Sequence, residues 1–165
     1  MIVVSDTTPL ISLLKVGHLD LLDKYFGEVQ IPQAVFEELT SNKRFALEAE
    51  EIRNCPYIRV VQIEDDKSVD IIRRVTGLDL GESEAIILTD NLHADLLLMD
   101  EAKGRSVAEQ MGLKIMGTIG LLLASYRNGY ISADEIKECV DILRDSGRYI
   151  GERYLQLLLD RINEK

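Results

Sequence analysis

Two short apolar runs constrain this chain more than any other feature. Ile2-Val3-Val4 passes through Ser5 into Asp6, and Leu96-Leu97-Leu98-Met99 stops at Asp100. Runs of this length without a polar face read as strands buried on both sides, which is the condition of strands in a parallel sheet. Stretches with helical periodicity lie between and after them, so short strands alternate with helices. That alternation predicts an α/β fold of three layers, a central and mainly parallel sheet flanked by helices. Sheets of this kind bind ligands outside the carboxyl ends of their strands. Asp6 and Asp100 are predicted to stand there as a pair.

Further strands are expected at 29–31, 58–63 and 114–116. A helix is expected from Thr8, with Thr8 as its cap and Pro9 in its first helical position. Others are expected over 18–26, 32–39, 45–54, 67–76, 82–93, 101–111 and 118–127, with amphipathic helices at 132–146 and 150–163. No repeat or linker interrupts the 165 residues, which predicts a single domain over 1–165 with a C-terminal helical extension from 130. In Leu155 to Ile162 the apolar positions crowd one broad face that must pack on something. The chain's own core, a dimer partner and a partner peptide are the alternatives.

Composition removes several function classes. The formal charge is −10, which argues against a surface that coats nucleic acid, while leaving room for a local basic rim. There is no Trp, so bases are not stacked on indoles. Cys55 and Cys139 lack ligand-like neighbours and are expected to be idle thiols in a reducing cytosol. His18 and His93 are isolated. With no leader-like start and no apolar run of about 18 residues, the expected location is the cytoplasm.

Helical phase sorts the other acids. In the helix from Pro32, Glu38 lies between Ala34 and Val35 at the edge of the apolar face, and Glu37 points away. In Gly81 to Leu88, Glu84 lies with Ile87 and Leu88, and Glu82 projects away from that stripe. Each acid has an ordinary alternative: Asp6 as a turn residue, Asp100 as a helix cap, Glu38 and Glu84 as solvated helix residues. If all four converge, their mutual repulsion requires a cation, and oxygen donors select Mg²⁺ or Mn²⁺. A pocket of that kind activates water and clamps phosphate oxygens. Lys103 and Arg105, just beyond Asp100, are candidates to grip phosphates, or else a solvated helix face. The Gly117-Thr118 helix start is a candidate phosphate site, or a tight turn.

Over roughly residues 1–130 the chain resembles the PIN-domain ribonucleases, especially the small prokaryotic proteins like the toxin half of VapBC-type toxin–antitoxin pairs. Val4-Ser5-Asp6-Thr7-Thr8-Pro9-Leu10-Ile11 is similar to the family's first motif, and Ile31 to Leu39, with Glu38, to the second. Leu80-Gly81-Glu82-Ser83-Glu84-Ala85-Ile86 stands in the third position and Leu97-Leu98-Met99-Asp100-Glu101 in the fourth. An uncharacterised PIN subgroup with Gly-Glu-x-Glu-Ala and Asp-Glu-x-x-Gly-Arg segments is closest, matched by Gly81 to Ala85 and Asp100 to Arg105. Where the toxin pattern has Asp in its third motif, this chain has Glu84, with Glu82 as a possible substitute. Leu98 stands where the fourth motif usually has Thr.

The resemblance implies a Mg²⁺- or Mn²⁺-dependent endoribonuclease acting on RNA. Asp6 and Asp100 would be primary metal ligands, Glu38 and Glu84 direct or water-mediated ones, and Thr7 or Thr8 would orient a water. An antitoxin partner and a homodimer are implied with it. The alternatives are a catalytically degenerate PIN-fold interaction module and a Mg²⁺-dependent phosphatase. Against the phosphatase, Thr8 stands where an Asp-x-Asp motif would place its second acid.

Overall fold

A computed structural model describes residues 1–146 and 150–164 of the chain. Its strands are β1 (Val3–Ser5), β2 (Val29–Pro32), β3 (Ile58–Val61), β4 (Leu96–Leu98) and β5 (Ile115–Met116). They form one sheet in the order β3-β2-β1-β4-β5. Every pairing is parallel, as strands separated by helices require. The register joins Val4 to Leu97 and Ser5 to Leu98. From β1 the chain winds outward to β2 and β3, then returns to the opposite side of β1 with β4 and β5. The order therefore reverses between β1 and β4, and a crevice forms at the carboxyl end of such a point.

The helices are α1 (Thr7–Val16), α2 (Leu21–Phe26), α3 (Gln33–Thr40), α4 (Ala46–Arg53), α5 (Asp66–Thr76), α6 (Leu80–Asn91), α7 (Ala102–Gln110), α8 (Thr118–Arg127), α9 (Ala133–Ser146) and α10 (Glu152–Asn163). They cover the two faces of the sheet, following the alternation of side chains along each strand. Val3 and Leu98 enter a core shared with α1, α2, α8, α9 and α10. Val4, Leu97 and Met99 enter a second core with α5, α6 and α7. The predicted three-layer α/β architecture is the one observed.

Several boundaries differ from the expectation, each for a local reason. The first helix starts at Thr7, with Asp6 rather than Thr8 in the cap position, so Pro9 is its third residue. Pro9 fits there because the first four N–H groups of a helix have no intrahelical partner. Before α2, Gly17 takes a left-handed conformation (φ 74°) and residues 17–20 turn the chain, so that helix begins only at Leu21. The helix expected from 82 begins at Leu80, because Asp79 and Glu82 form a capping box. The cap of α7 is Glu101, which accepts from Gly104 N at 2.8 Å. Among the described residues no helix is long and apolar enough to cross a membrane.

The last two helices are part of the main core. α9 packs on α1 and α8, and α10 packs on α8 and α9. Cys139, Leu143, Leu155 and Leu158 are buried there. Leu158→Ala is therefore expected to cost about 2–5 kcal/mol, measured by urea denaturation. A cost near zero would mean that α10 is a dispensable appendage.

Candidate functional site

Asp6 follows β1 at the point where the strand order reverses, and its N–H donates to Leu98 O at 2.9 Å. It is only 3 % exposed. Strand alternation sends its side chain to the same side as Val4, toward the first turn of α6. Burial pushes its carboxyl up to about 7, and the charges of Glu82, Asp79 and Glu38 push in the same direction. The N–H of Thr7 opposes them. Asp6 is thus a buried acid whose charged neighbours are themselves acids.

Glu38 reaches this place from α3. The Thr7 hydroxyl donates to its Oε2 at 2.7 Å. Its Oε1 lies against Gly81, in the first turn of α6. Burial raises the Glu38 carboxyl, the Thr7 bond lowers it, and the charges of Asp79 and Glu84 raise it again. Glu84 lies on the next turn of α6 and is half-buried. Its Oε2 accepts from Ala34 N at 2.9 Å, so it satisfies one of the orphan donors at the start of α3.

Ser5 is level with Leu98, the last residue of β4, so Asp100 lies one residue farther past its strand end than Asp6 does. There it meets the start of α8. Its Oδ1 accepts from Thr118 N at 2.7 Å and its Oδ2 from Thr118 Oγ1 at 2.6 Å. Burial raises the Asp100 carboxyl, while Thr118 and the Arg105 guanidinium pull it down. The ordinary alternative for Asp100 was a cap on the helix that follows it; the helix it caps is α8. A Cβ at Gly117 would come within 2.9 Å of Asp100 Oδ1, so the glycine leaves room for this arrangement.

The structure therefore joins Asp6 to Glu38 and Glu38 to Glu84 electrostatically, and it directs Asp100 to Thr118. Among the described residues no three His, Cys, Asp or Glu side chains stand as a group that could hold a metal ion. Of the other candidates, Thr7 is occupied by Glu38, and Thr8 lines a cleft of about 910 Å³ beside Asp100. Arg105 donates to Met99 O at 2.9 Å. Lys103 is exposed with its ammonium beside Gly77. The N–H of Thr118 is already engaged by Asp100, so in this conformation it is not offered to a phosphate.

The sequence reading does not single out Asp79, and it keeps Glu82, which helical phase turns away from the apolar stripe, only as a possible substitute for Glu84. A signal for both was present. Asp79-Leu80-Gly81-Glu82 has the spacing of a capping box, which gathers two carboxylates at a helix start. Asp79 Oδ1 accepts from Glu82 N at 2.8 Å, and Glu82 Oε2 from Asp79 N at 3.0 Å. Burial raises the Glu82 carboxyl, assisted by the charges of Asp79 and Glu101 and opposed by the Asp79 N–H.

Replacing Thr118 by Val preserves volume and removes one donor from Asp100. A hydrogen bond to a charged group contributes about 1.5–3 kcal/mol, so Thr118→Val is expected to lose that much stability in urea denaturation. An unchanged midpoint would show that the Asp100–Thr118 link contributes nothing to the fold.

The PIN-domain family model DUF3368 matches residues 2–164. The match extends past residue 130 and includes both C-terminal helices. Comparison with curated proteins returns no match.

Proposed function

The chain belongs to the PIN-domain family, a superfamily of nucleases and toxins, and from that premise we propose that it is a Mg²⁺- or Mn²⁺-dependent endoribonuclease. The observation that carries the proposal is Asp6: a buried carboxyl at the reversal point of the sheet, with Glu38, Asp79 and Glu82 as its charged neighbours. Such a group is stabilised by a hard cation. The donor set fits that cation in its chemistry, because every candidate ligand is an oxygen.

Asp6 and Glu38 would hold the ion, with Glu82 beside them. Glu84 and Asp100, the third and fourth acids of the resemblance, would join only by exchanging their bonds to Ala34 and Thr118. A bound divalent ion supplies acidification of water and neutralisation of charge on a scissile phosphate. Within the site, Thr7 orients Glu38 and the start of α6 fixes Glu82. Glu38 and Glu82, raised above the ordinary carboxylate range, are placed to accept a proton from an attacking water.

The same proposal makes the protein the toxin of a VapBC-type pair, with an antitoxin partner and a homodimer. The exposed Tyr154 and Leu157 on α10, in the cleft beside Asp100, offer apolar surface for a partner. The test is expression in cells: growth arrest by the native chain and none by an Asp6→Asn variant is the expected pair of results. Equal growth would remove the toxin assignment.

A second reading is a catalytically degenerate PIN-fold interaction module. It is favoured by the engagement of Glu84 and Asp100 in helix starts and by the lack of an assembled three-acid group among the described residues. Calorimetric titration with Mn²⁺ separates the two: heat of binding is expected of the nuclease and none of the module.

A further inference from the structure

Glu38 is a long, flexible side chain on the second turn of α3, and a metal-holding role requires that something fix it. One oxygen is fixed by Thr7. The other lies against the first turn of α6 at a residue with no side chain. A Cβ built on Gly81 would overlap Glu38 Oε1, and would stand 3.1 Å from Glu38 Cδ and 3.4 Å from Oε2. These three atoms, the nearest to such a methyl, all belong to one carboxylate and none to the backbone of α3. The glycine thus makes room for a functional group rather than for helix–helix contact.

Nothing in the backbone requires glycine here. Gly81 is not among the residues with positive φ. It is the second residue of a regular helix whose start is already held by the Asp79–Glu82 capping box. Even there Gly loses more backbone freedom on folding than Ala. An unfavourable residue, buried at the point where two helices meet, is explained by the space it leaves.

We propose that Gly81 is the positioning residue for Glu38, its missing side chain forming the seat in which that carboxylate lies. The proposal rests on the reading of Glu38 as a metal-holding residue. It places the specificity of the site for a carboxylate of this length on the pair Thr7 and Gly81.

The experiment is a melting-temperature cycle on the full chain in EDTA, with native protein, Gly81→Ala, Glu38→Ala and the double variant. With Glu38 truncated, Gly81→Ala is expected to raise the melting temperature by about 2–3 °C, the ordinary gain from helix propensity. With Glu38 present, the gain is expected to vanish or reverse. An equal rise in both backgrounds would overturn the proposal. A Mn²⁺ titration accompanies the cycle, and Gly81→Ala is expected to bind on the order of tenfold more weakly than native protein, one interaction's worth. Equal affinity would also overturn it. If native protein takes up no Mn²⁺, the metal reading of Glu38 fails, while the metal-free cycle still decides whether Gly81 seats it.

Discussion

Asp6→Asn is expected to abolish metal-dependent RNA cleavage and to make the protein more stable at pH 8. The first effect follows from loss of the charge that the proposed metal would bind, at the centre of the acids. Lewis-acid stabilisation of several kcal/mol corresponds to a rate loss of about 10³-fold or more. The second follows from the burial of Asp6. Its carboxyl is raised from 3.8 to about 7 in the folded protein. Between these values the folded state keeps a proton that the unfolded state has lost, so stability falls as pH rises from about 4 to about 7. Above that the full penalty is present, about 4 kcal/mol on this displacement. Asn carries no charge and escapes it. The expected result is a melting temperature on the order of 10 °C higher than native at pH 8, with the two proteins alike near pH 4. A variant that is inactive but also less stable at pH 8 would mean that Asp6 is a structural residue.

Mn²⁺ is expected to stabilise the native protein at pH 8 and to lose most of that effect at pH 5. A cation binds the ionised carboxylate, so at pH 5 it must displace a proton from a group titrating near 7, an affinity loss of about 100-fold. At a concentration 100 times the dissociation constant, binding stabilises by about 2.7 kcal/mol, and the weakening at pH 5 removes most of it. Melting curves with and without Mn²⁺ at the two pH values measure this directly. A shift of equal size at both would place the ion elsewhere, and no shift at either would favour the interaction module.

The sheet was legible in the sequence because its strands carry their own signal. Val3, Val4, Leu97 and Leu98 are buried on both faces, and such strands show as uninterrupted apolar runs. Helix starts were less legible, since they depend on which residue caps. Asp79 with Glu82 and Glu101 with Gly104 move two starts by one or two residues. Thr8 as cap and Pro9 as first helical residue suggest a start two residues later than the one observed.

The acids of the site were legible as residues but not as an arrangement. Asp6 and Asp100 each end an apolar run, and the runs alone do not say how they align. The register sets Ser5 beside Leu98, so Asp100 stands one residue farther past its strand end than Asp6 does, and its carboxylate is taken up by Thr118. Helical phase located Glu38 and Glu84 at the edge of an apolar face. It does not reveal that Ala34 N and Thr7 Oγ1 bind them. Glu82 was turned away from the core by the same reasoning, yet the core stripe of α6 is not what faces Asp6; the first turn of the helix is.

A crystal of the native protein soaked in Mn²⁺, with the ion located by its anomalous scattering, tests the central claim most directly. The predicted result is a peak bounded by the carboxylates of Asp6 and Glu38 at the start of α6. The absence of any peak there at saturating Mn²⁺, with Asp6 ionised at pH 8, would contradict the assignment of this pocket as a metal centre.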